Sequence, residues 1–216
     1  MYNLHLATIA IIAANVLVSL RGFNDSYFFE RYKFSIGGVK AGQKERTITS
    51  GFLHVDIAHL FFNMFTLYFF ANTVIGWFGA FKFLIIYFAS LLGGSLLALF
   101  FHKDEPFYSA VGASGAVTGV LYAAILLNPN MQLGILFIPI PLPAYVLGIA
   151  YLLYSIYGMK SRQDNIGHSA HFGGAMAGYV VTLLFKPELL VTETLIVILL
   201  AIPIVILFVL EKTGKI

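Results

Sequence analysis

Four small residues, Gly112-Ala113-Ser114-Gly115, stand where a polar stretch turns into an apolar run. Their lack of bulk leaves the Ser114 hydroxyl accessible. One interpretation is helix packing, because Gly, Ala and Ser let membrane helices approach closely. The other is a nucleophile, which needs a histidine close enough to accept the hydroxyl proton. The second interpretation therefore requires a base at the same depth as Ser114.

The composition places this serine in a membrane protein. Of 216 residues, 59% are hydrophobic and 11% are charged, whereas soluble domains average about 25% charged residues. Several apolar stretches approach the ~20 residues that cross a bilayer as a helix. The absence of cysteine excludes disulfides, thiolate metal sites and a cysteine nucleophile. The net charge of +3 comes from loop Lys and Arg residues, which more often contact lipid headgroups than nucleic acid.

Seven apolar segments predict an all-α polytopic membrane protein with a single domain over residues 1–216. Six core helices are expected at about 4–20, 57–77, 81–101, 112–127, 143–157 and 169–185, and a seventh C-terminal helix at 189–210. Prolines at 139, 141 and 143 make the stretch 131–142 an irregular connection in this interpretation. The basic and aromatic stretch 21–56 is typical of a loop lying in the membrane interface, and we call it the interface loop.

Chain direction determines which residues can meet Ser114. Because successive helices run in opposite directions, the first, third and fifth loops share one side of the membrane. Ser114 begins the fourth helix on that side, and His171 lies near the start of the sixth helix on the same side. Small residues would allow these two helices to come close: Gly112, Gly115, Gly119, Gly173, Gly174 and Gly178. A Ser–His hydrogen bond of about 2.6–3.2 Å is therefore predicted.

The start of the second helix adds His54, His59 and Asn63 on the same side. His59 and Asn63, four residues apart, share a helical face from which both could donate hydrogen bonds to a developing oxyanion. The alternative is an interhelical hydrogen bond worth roughly 1 kcal/mol. A lone His171 would more often be a packing residue, but polar groups within the bilayer are functional candidates. Asp164 would lie roughly 10 Å from His171 along a helix, so the pattern predicts a Ser–His dyad.

These residues resemble the motifs of the rhomboid family of intramembrane serine proteases. The second-helix pattern is His54-x4-His59-x3-Asn63, and the nucleophile motif is Gly112-Ala113-Ser114-Gly115. The base motif is Ala170-His171-Phe172-Gly173-Gly174. The three occur in the family's order with compatible separations. The resemblance implies a six-helix core plus a seventh helix, and cleavage of peptide bonds in or near the transmembrane segments of membrane proteins.

By this resemblance Ser114 is the nucleophile, and His171 is the general base and then the general acid. Asn63, His59 and the backbone N–H of Ser114 would form the oxyanion hole. The supporting residues would be His54, Gly112, Gly115 and Gly174. Transmembrane substrates would enter laterally from the lipid as the fifth helix and its loops move. No cofactor, metal or nucleic acid is expected.

Two positions depart from the family pattern. Many members have Trp-Arg in the first loop, where this chain has Glu45-Arg46. Many bacterial members place a tyrosine, which stacks on the histidine, four residues after the serine, where this chain has Thr118. The element that orients His171 is therefore left open. His168, near the interface, is interpreted as a solvated residue.

The predicted location is a bacterial inner membrane, with the active site opening to the outer face. Eleven of the thirteen Lys and Arg residues lie on the active-site side, so the positive-inside rule would instead place that side in the cytoplasm. Six of those eleven lie in the interface loop, where aromatic residues can hold them at the headgroups. We therefore follow the family topology.

Two other functions compete with proteolysis. A catalytically silent rhomboid-like protein would bind and route membrane substrates, although such relatives typically lack the serine or the histidine. A transporter or a histidine-based metal site has the six histidines in its favour. Against it, the chain has no H-E-x-x-H pattern, no acidic residue within the six predicted core helices and no evident inverted repeat.

Overall fold

A computed structural model describes residues 4–135, 138–161 and 166–216. The helices in these residues are α1 (Leu6–Asn24), α2 (Ser26–Tyr32), α3 (Ile36–Lys40), α4 (Arg46–Thr49), α5 (Ile57–Phe101), α6 (Ser114–Leu127), α7 (Ala144–Ser161), α8 (His168–Phe185), α9 (Leu189–Thr192) and α10 (Thr194–Lys212). The strands are β1 (Phe34–Ser35), β2 (Ser109–Ala110), β3 (Gln132–Ile135) and β4 (Ile138–Pro143). They form two antiparallel pairs, β1 with β2 and β3 with β4.

The helices are those of a membrane protein. In the described part of the chain, α1, α5 and α10 are long and apolar enough to cross a bilayer, and α6 is a shorter apolar helix. Many large apolar side chains of these helices are exposed, Leu17 of α1 and Leu195 of α10 among them. The predicted all-α membrane architecture is confirmed, and the count of six core helices plus one stays a prediction.

Helix α5 is interrupted at Gly79, whose φ of 75° and ψ of 168° are not helical. A straight helix of its 45 residues would extend about 68 Å, more than twice the hydrocarbon thickness of a bilayer. Both halves of α5 return to the start of α6. His59 in the first half lies against Gly112, and Gly94 in the second half lies against Gly115. The chain therefore reverses near Gly79, as the predicted boundary between 77 and 81 requires.

Glycines bring the backbones of α6 and α8 into direct contact. A Cβ added to Gly174 would lie 1.9 Å from the carbonyl oxygen of Gly115. One turn further along, a Cβ on Gly178 would lie 2.2 Å from the carbonyl oxygen of Gly119. No side chain fits at these positions, because the atom that would be met is backbone and cannot rotate away. The predicted close approach of these two helices is therefore present.

The interface loop is held together by Arg46, which is only 9% exposed. Its Nη1 group donates to the carbonyl oxygens of Glu30 at 2.9 Å and Lys33 at 2.8 Å. Its Nε donates to Gln43 at 2.6 Å. The arginine of the family's Trp-Arg pair thus anchors the loop here although Glu45 precedes it. The β1–β2 pairing joins the interface loop to the stretch before Ser114, which confirms that the first and third loops share one side.

The stretch predicted as an irregular connection, 131–142, differs from the prediction. Its described part forms the β3–β4 hairpin, in which Gln132 pairs with Pro143 and Leu133 with Leu142. A two-stranded hairpin has only edge strands, so prolines that lack an N–H are tolerated there. Helix α7 consequently begins at Ala144, directly after Pro143 rather than at it.

Other boundaries move by a few residues. Helices α1 and α7 each continue four residues past their predicted ends, to Asn24 and Ser161. The predicted solvation of His168 is wrong, since this residue is 4% exposed and its ring packs edge-on against Tyr154 at 5.2 Å. Asp164 lies outside the described residues.

Replacing Gly174 with alanine tests the contact between α6 and α8. The added methyl group overlaps the Gly115 carbonyl, so we expect a loss of about 1–3 kcal/mol in the free energy of unfolding. The matched control is Gly76→Ala, since Gly76 is helical and a Cβ there meets nothing within 4 Å. Thermal unfolding in detergent measures both variants. Equal stability of the two proteins would contradict the contact.

Candidate active site

Ser114 and His171 meet across the α6–α8 contact. Ser114 is the first residue of α6, and His171 lies in the first turn of α8. The distance between Ser114 Oγ and His171 Nε2 is 2.6 Å. This is the hydrogen bond that the sequence predicts, and a serine paired with an imidazole nitrogen in this way is arranged to lose its proton.

The turn before α6 positions Ser114 at the cavity that the site lines. Gly112 adopts a φ of 128°, which favours glycine. A Cβ on Gly112 would also lie 2.9 Å from His59 Nε2, so this position has no room for a side chain. The Gly112 N–H donates to the carbonyl oxygen of Ser50 at 3.0 Å. Backbone conformation and a close histidine ring thus both require glycine at 112.

His54 supports the same turn from the opposite side. Its Nε2 accepts a hydrogen bond from the Ala113 N–H at 3.4 Å. An amide can only donate, so Nδ1 carries the proton and donates to Ser19 Oγ at 2.9 Å. Ser19 in turn donates to the Phe52 carbonyl at 2.9 Å. Burial, assisted by the neighbouring His59, lowers the pKa of His54 to about 3, so the ring is neutral at neutral pH.

Asn63 and His59 lie on the α5 side of the serine. Asn63 Nδ2 donates to the His59 carbonyl at 3.0 Å, and Asp56 caps the helix by accepting from the His59 N–H at 2.7 Å. The His54 and His59 rings pack edge-on at 4.9 Å. Both predicted oxyanion donors, Asn63 and His59, line the same cavity as Ser114.

These groups open into one cavity of about 890 Å³. Its polar lining includes Ser114, His171, Asn63 and His59. Apolar and aromatic side chains from three helices complete the walls, namely Phe62, Val117, Leu121, Tyr151 and Tyr154. Lys33 of the interface loop also lines the cavity. The cavity is thus large enough for several side chains of an extended peptide.

One polar residue of the site was not predicted. The Tyr151 hydroxyl of α7 lies 2.7 Å from His171 Nδ1, and the two rings stack at 5.9 Å and 24°. This contact answers the question that Thr118 raised, because the tyrosine beside the histidine comes from α7. In the sequence, the only sign of a tyrosine elsewhere was that position 118, four residues after Ser114, is threonine. Nothing in the pattern of α7 distinguishes Tyr151 from its neighbours Tyr154 and Tyr157.

Metal chemistry gains no support from the described residues, in which no three His, Cys, Asp or Glu side chains are grouped to hold an ion. The site is instead a serine and a histidine at a cavity among apolar helices. These features define a class of helical membrane proteins with a hydrogen-bonded serine–histidine pair.

Comparison with known families agrees with that class. The Rhomboid domain model matches residues 41–188, which is more than half of the chain. The protein belongs to the rhomboid family.

Individual relatives include proteins with and without a stated activity. The chain is 35% identical over 182 residues to RHOMBOID-like protein 12, mitochondrial, of Arabidopsis thaliana, covering 77% of this chain and 54% of the relative. It is 31% identical over 144 residues to the rhomboid protease GluP of Bacillus subtilis, covering 65% and 26%. It is 29% identical over 146 residues to the inactive RHOMBOID-like protein 8 of Arabidopsis thaliana, covering 67% and 39%. The chain thus spans about half the length of these relatives or less.

Integral membrane location follows from the family and the apolar helices. The finer prediction of a bacterial inner membrane is not supported, because the relatives include a mitochondrial plant protein as well as a Bacillus protein.

The neutral state of His54 predicts how stability changes with pH. The folded state holds the pKa near 3, below the ordinary 6.5, so only the unfolded chain binds this proton between those values. Stability should therefore fall as the pH drops from about 6.5 toward 3, by up to about 1.4 kcal/mol per pH unit from this group.

The variant His54→Gln removes the titrating group, so it should flatten the pH slope in chemical unfolding measured in detergent. His5→Gln is the matched control, because His5 is an exposed histidine outside the site. A slope unchanged in His54→Gln would contradict the assignment.

Proposed function

We propose that this protein is an intramembrane serine endopeptidase that uses Ser114 and His171 as a catalytic dyad. The observation that carries the proposal is the 2.6 Å contact between Ser114 Oγ and His171 Nε2 beside a cavity among membrane helices. The proposal treats residues 1–216 as one integral-membrane domain with the six predicted core helices and the seventh. Its substrates are transmembrane or juxtamembrane segments of other membrane proteins.

The reaction begins when His171 Nε2 accepts the Ser114 proton while Oγ attacks the scissile carbonyl carbon. The resulting imidazolium then protonates the departing amine, which leaves an acyl ester on Ser114. Water is deprotonated by His171 and attacks the ester, and the serine regains its proton as the acid product leaves. The histidine thus returns to its neutral form after each cycle.

Charge on the carbonyl oxygen develops in both steps, and donors beside Ser114 would stabilise it. Asn63 keeps a second amide hydrogen besides the one given to the His59 carbonyl. His59 Nε2 lies close to Gly112, and His59 lines the cavity. The Ser114 N–H belongs to the first turn of α6, where backbone donors lack helical partners and the helix dipole favours an anion. Three donors of this kind match an oxyanion hole.

Access from the lipid is the natural route for such a substrate. The cavity lies between the first half of α5, which supplies Phe62 and Thr66, and α7, which supplies Tyr151 and Tyr154. Outside it, Phe61 and Phe65 of α5 are about half exposed, at 56% and 49%. A transmembrane segment would therefore approach between these helices, and its unwound end would reach Ser114.

A silent substrate-binding protein is the competing function, since one matched relative is named inactive. Fluorophosphonate labelling of detergent-solubilised protein separates the two, because only an activated serine reacts. We expect labelling of the wild type and its loss in Ser114→Ala and His171→Ala. Cleavage of a model transmembrane substrate should disappear in the same variants.

Matched controls are Ser26→Ala and His5→Ala, which alter an exposed serine and an exposed histidine away from the cavity. Both should label at the wild-type rate. A folded wild type that is neither labelled nor able to cut the substrate would favour the silent function.

Removing the Asn63 amide tests the proposed oxyanion hole. We expect Asn63→Ala to lower kcat by about 10²- to 10³-fold with little change in KM, because the interaction forms mainly in the transition state. The rate of substrate cleavage in detergent or liposomes measures this change. Asn72→Ala on the same helix is the control, and equal kcat values for the two variants would remove Asn63 from the oxyanion hole.

A further inference from the structure

Lys33 brings a positive charge into the wall of the cavity. Among the described residues that line the cavity, it is the single Lys or Arg residue, and none is Asp or Glu. The other polar side chains there are hydroxyls, one amide and the two histidines of the site. A cleft whose wall carries one sign of charge attracts ligand groups of the opposite sign. In a polypeptide substrate, those groups are the side-chain carboxylates of Asp and Glu.

The backbone of Lys33 is fixed by the interface loop. Lys33 caps the end of α2, and its N–H donates to the Phe29 carbonyl at 2.9 Å. Its own carbonyl accepts from Arg46 Nη1 at 2.8 Å. The Lys33 ammonium group can therefore move only as far as its side chain reaches from one fixed point. Such preorganisation reduces the entropy that is lost when a ligand binds.

The pairing of β1 with β2 indicates how near Lys33 lies to the nucleophile. Phe34 pairs with Ala110. Lys33 is the residue before Phe34, Val111 is the residue after Ala110, and both line the cavity. Val111 precedes Ser114 by three residues, which correspond to about 10 Å of extended chain. An extended substrate bound at Ser114 would therefore bring a side chain within about three residues of its scissile bond to Lys33.

Glu30 contacts the Lys33 ammonium group from outside the cavity lining. Lys33 Nζ lies 2.8 Å from both carboxylate oxygens of Glu30. The Glu30 side chain is 61% exposed, whereas that of Lys33 is 23% exposed. An ion pair whose carboxylate is so well solvated contributes little to stability. Because an ammonium group has three N–H donors, a second carboxylate can share Lys33 with Glu30 or replace it.

We propose that Lys33 determines specificity by selecting membrane-protein substrates that carry Asp or Glu within about three residues of the scissile bond. The proposal rests on the proposed protease function and defines the chemistry of its substrates. Phe29, one helical turn before Lys33, lines the same cavity. Its apolar ring reduces the water around the contact, so the attraction between Lys33 and the carboxylate is screened less than at an open surface.

A charge scan of a model transmembrane substrate tests this selection. One residue at a time, on either side of the scissile bond, is replaced by Glu or by Lys, and cleavage is measured in liposomes of neutral lipid. We expect kcat/KM to be about fivefold higher for Glu than for Lys at one or two of these positions. The difference should lie in KM, because the contact also forms in the ground state. Salt at about 1 M should reduce it, because salt screens the ion pair.

Charge changes at position 33 provide the decisive comparison. Lys33→Met should bring the Glu-to-Lys ratio of kcat/KM at those positions to about one, since the ion pair is lost. The exchanged pair Glu30→Lys/Lys33→Glu keeps opposite charges together in the loop and reverses the charge at the cavity, so it should prefer the Lys substrates. If the exchanged pair does not fold, Lys33→Met decides alone.

The matched control is Lys44→Glu. Lys44 is an exposed lysine of the same interface loop and is not among the residues that line the cavity. This variant should keep the wild-type ratio, although the loop changes its charge by the same amount as in Lys33→Glu. A ratio that is equal in wild type, Lys33→Met and the exchanged pair would overturn the proposal.

Lipid phosphate is the other acidic group available to a lysine at the membrane interface, and liposomes with a rising fraction of anionic lipid distinguish it. A rate that depends on Lys33 and on anionic lipid, but is equal for Glu and Lys substrates, would overturn the proposal. Fluorophosphonate labelling of the wild type separates these failures from failure of the protease. A labelled wild type that cuts Glu and Lys substrates equally rejects only the role of Lys33, whereas a folded wild type without labelling or cleavage rejects both.

Discussion

The distance between the backbones of α6 and α8 is the constraint on which this site depends. Gly115 and Gly174 touch through backbone atoms, and Gly119 and Gly178 do so one turn further along. Ser114 precedes the first of these contacts by one residue, and His171 precedes its partner by three. The hydrogen bond between the two side chains is therefore set by how closely the helices pack. In lipid, where apolar surface gives little drive for helix association, such backbone contact is a main source of affinity between helices.

The side of the protein on which Ser114 lies carries most of the Lys and Arg residues. Several of these residues are held by contacts within the protein. In the interface loop Arg31 pairs with Glu45 at 2.8 Å, and Lys33 pairs with Glu30 at 2.8 Å. The Arg31 guanidinium holds the pKa of the exposed Glu45 carboxyl below its usual range. Arg46 donates hydrogen bonds to the backbone carbonyls of Glu30 and Lys33. The number of cations in this loop thus reflects its architecture, so it is a weak guide to the orientation of the protein in the membrane.

Local pattern and chain direction predicted that Ser114 and His171 meet, as they do at 2.6 Å, and the family resemblance assigned the roles. Ser114, His171, Asn63 and His59 all follow polar signals at helix starts, and helix parity places them on one side. Tyr151 gave no such signal, because α7 is apolar on most of its faces and its rotation about its own axis depends on packing. The β3–β4 hairpin was missed for a related reason, since proline excludes a helix without specifying which strand pairing replaces it.

Helix α7 links the chemistry to the membrane. It bonds the core through Tyr151 and through its Gly148 carbonyl, which accepts from Tyr122 at 2.5 Å. Gly148 also lies close to Leu200 of α10. If a substrate enters between α5 and α7, displacement of α7 withdraws the Tyr151 hydroxyl from His171. His171 regains this contact only when α7 returns to its packed position. Movement of the helix that admits the substrate would therefore also change how firmly the base is held.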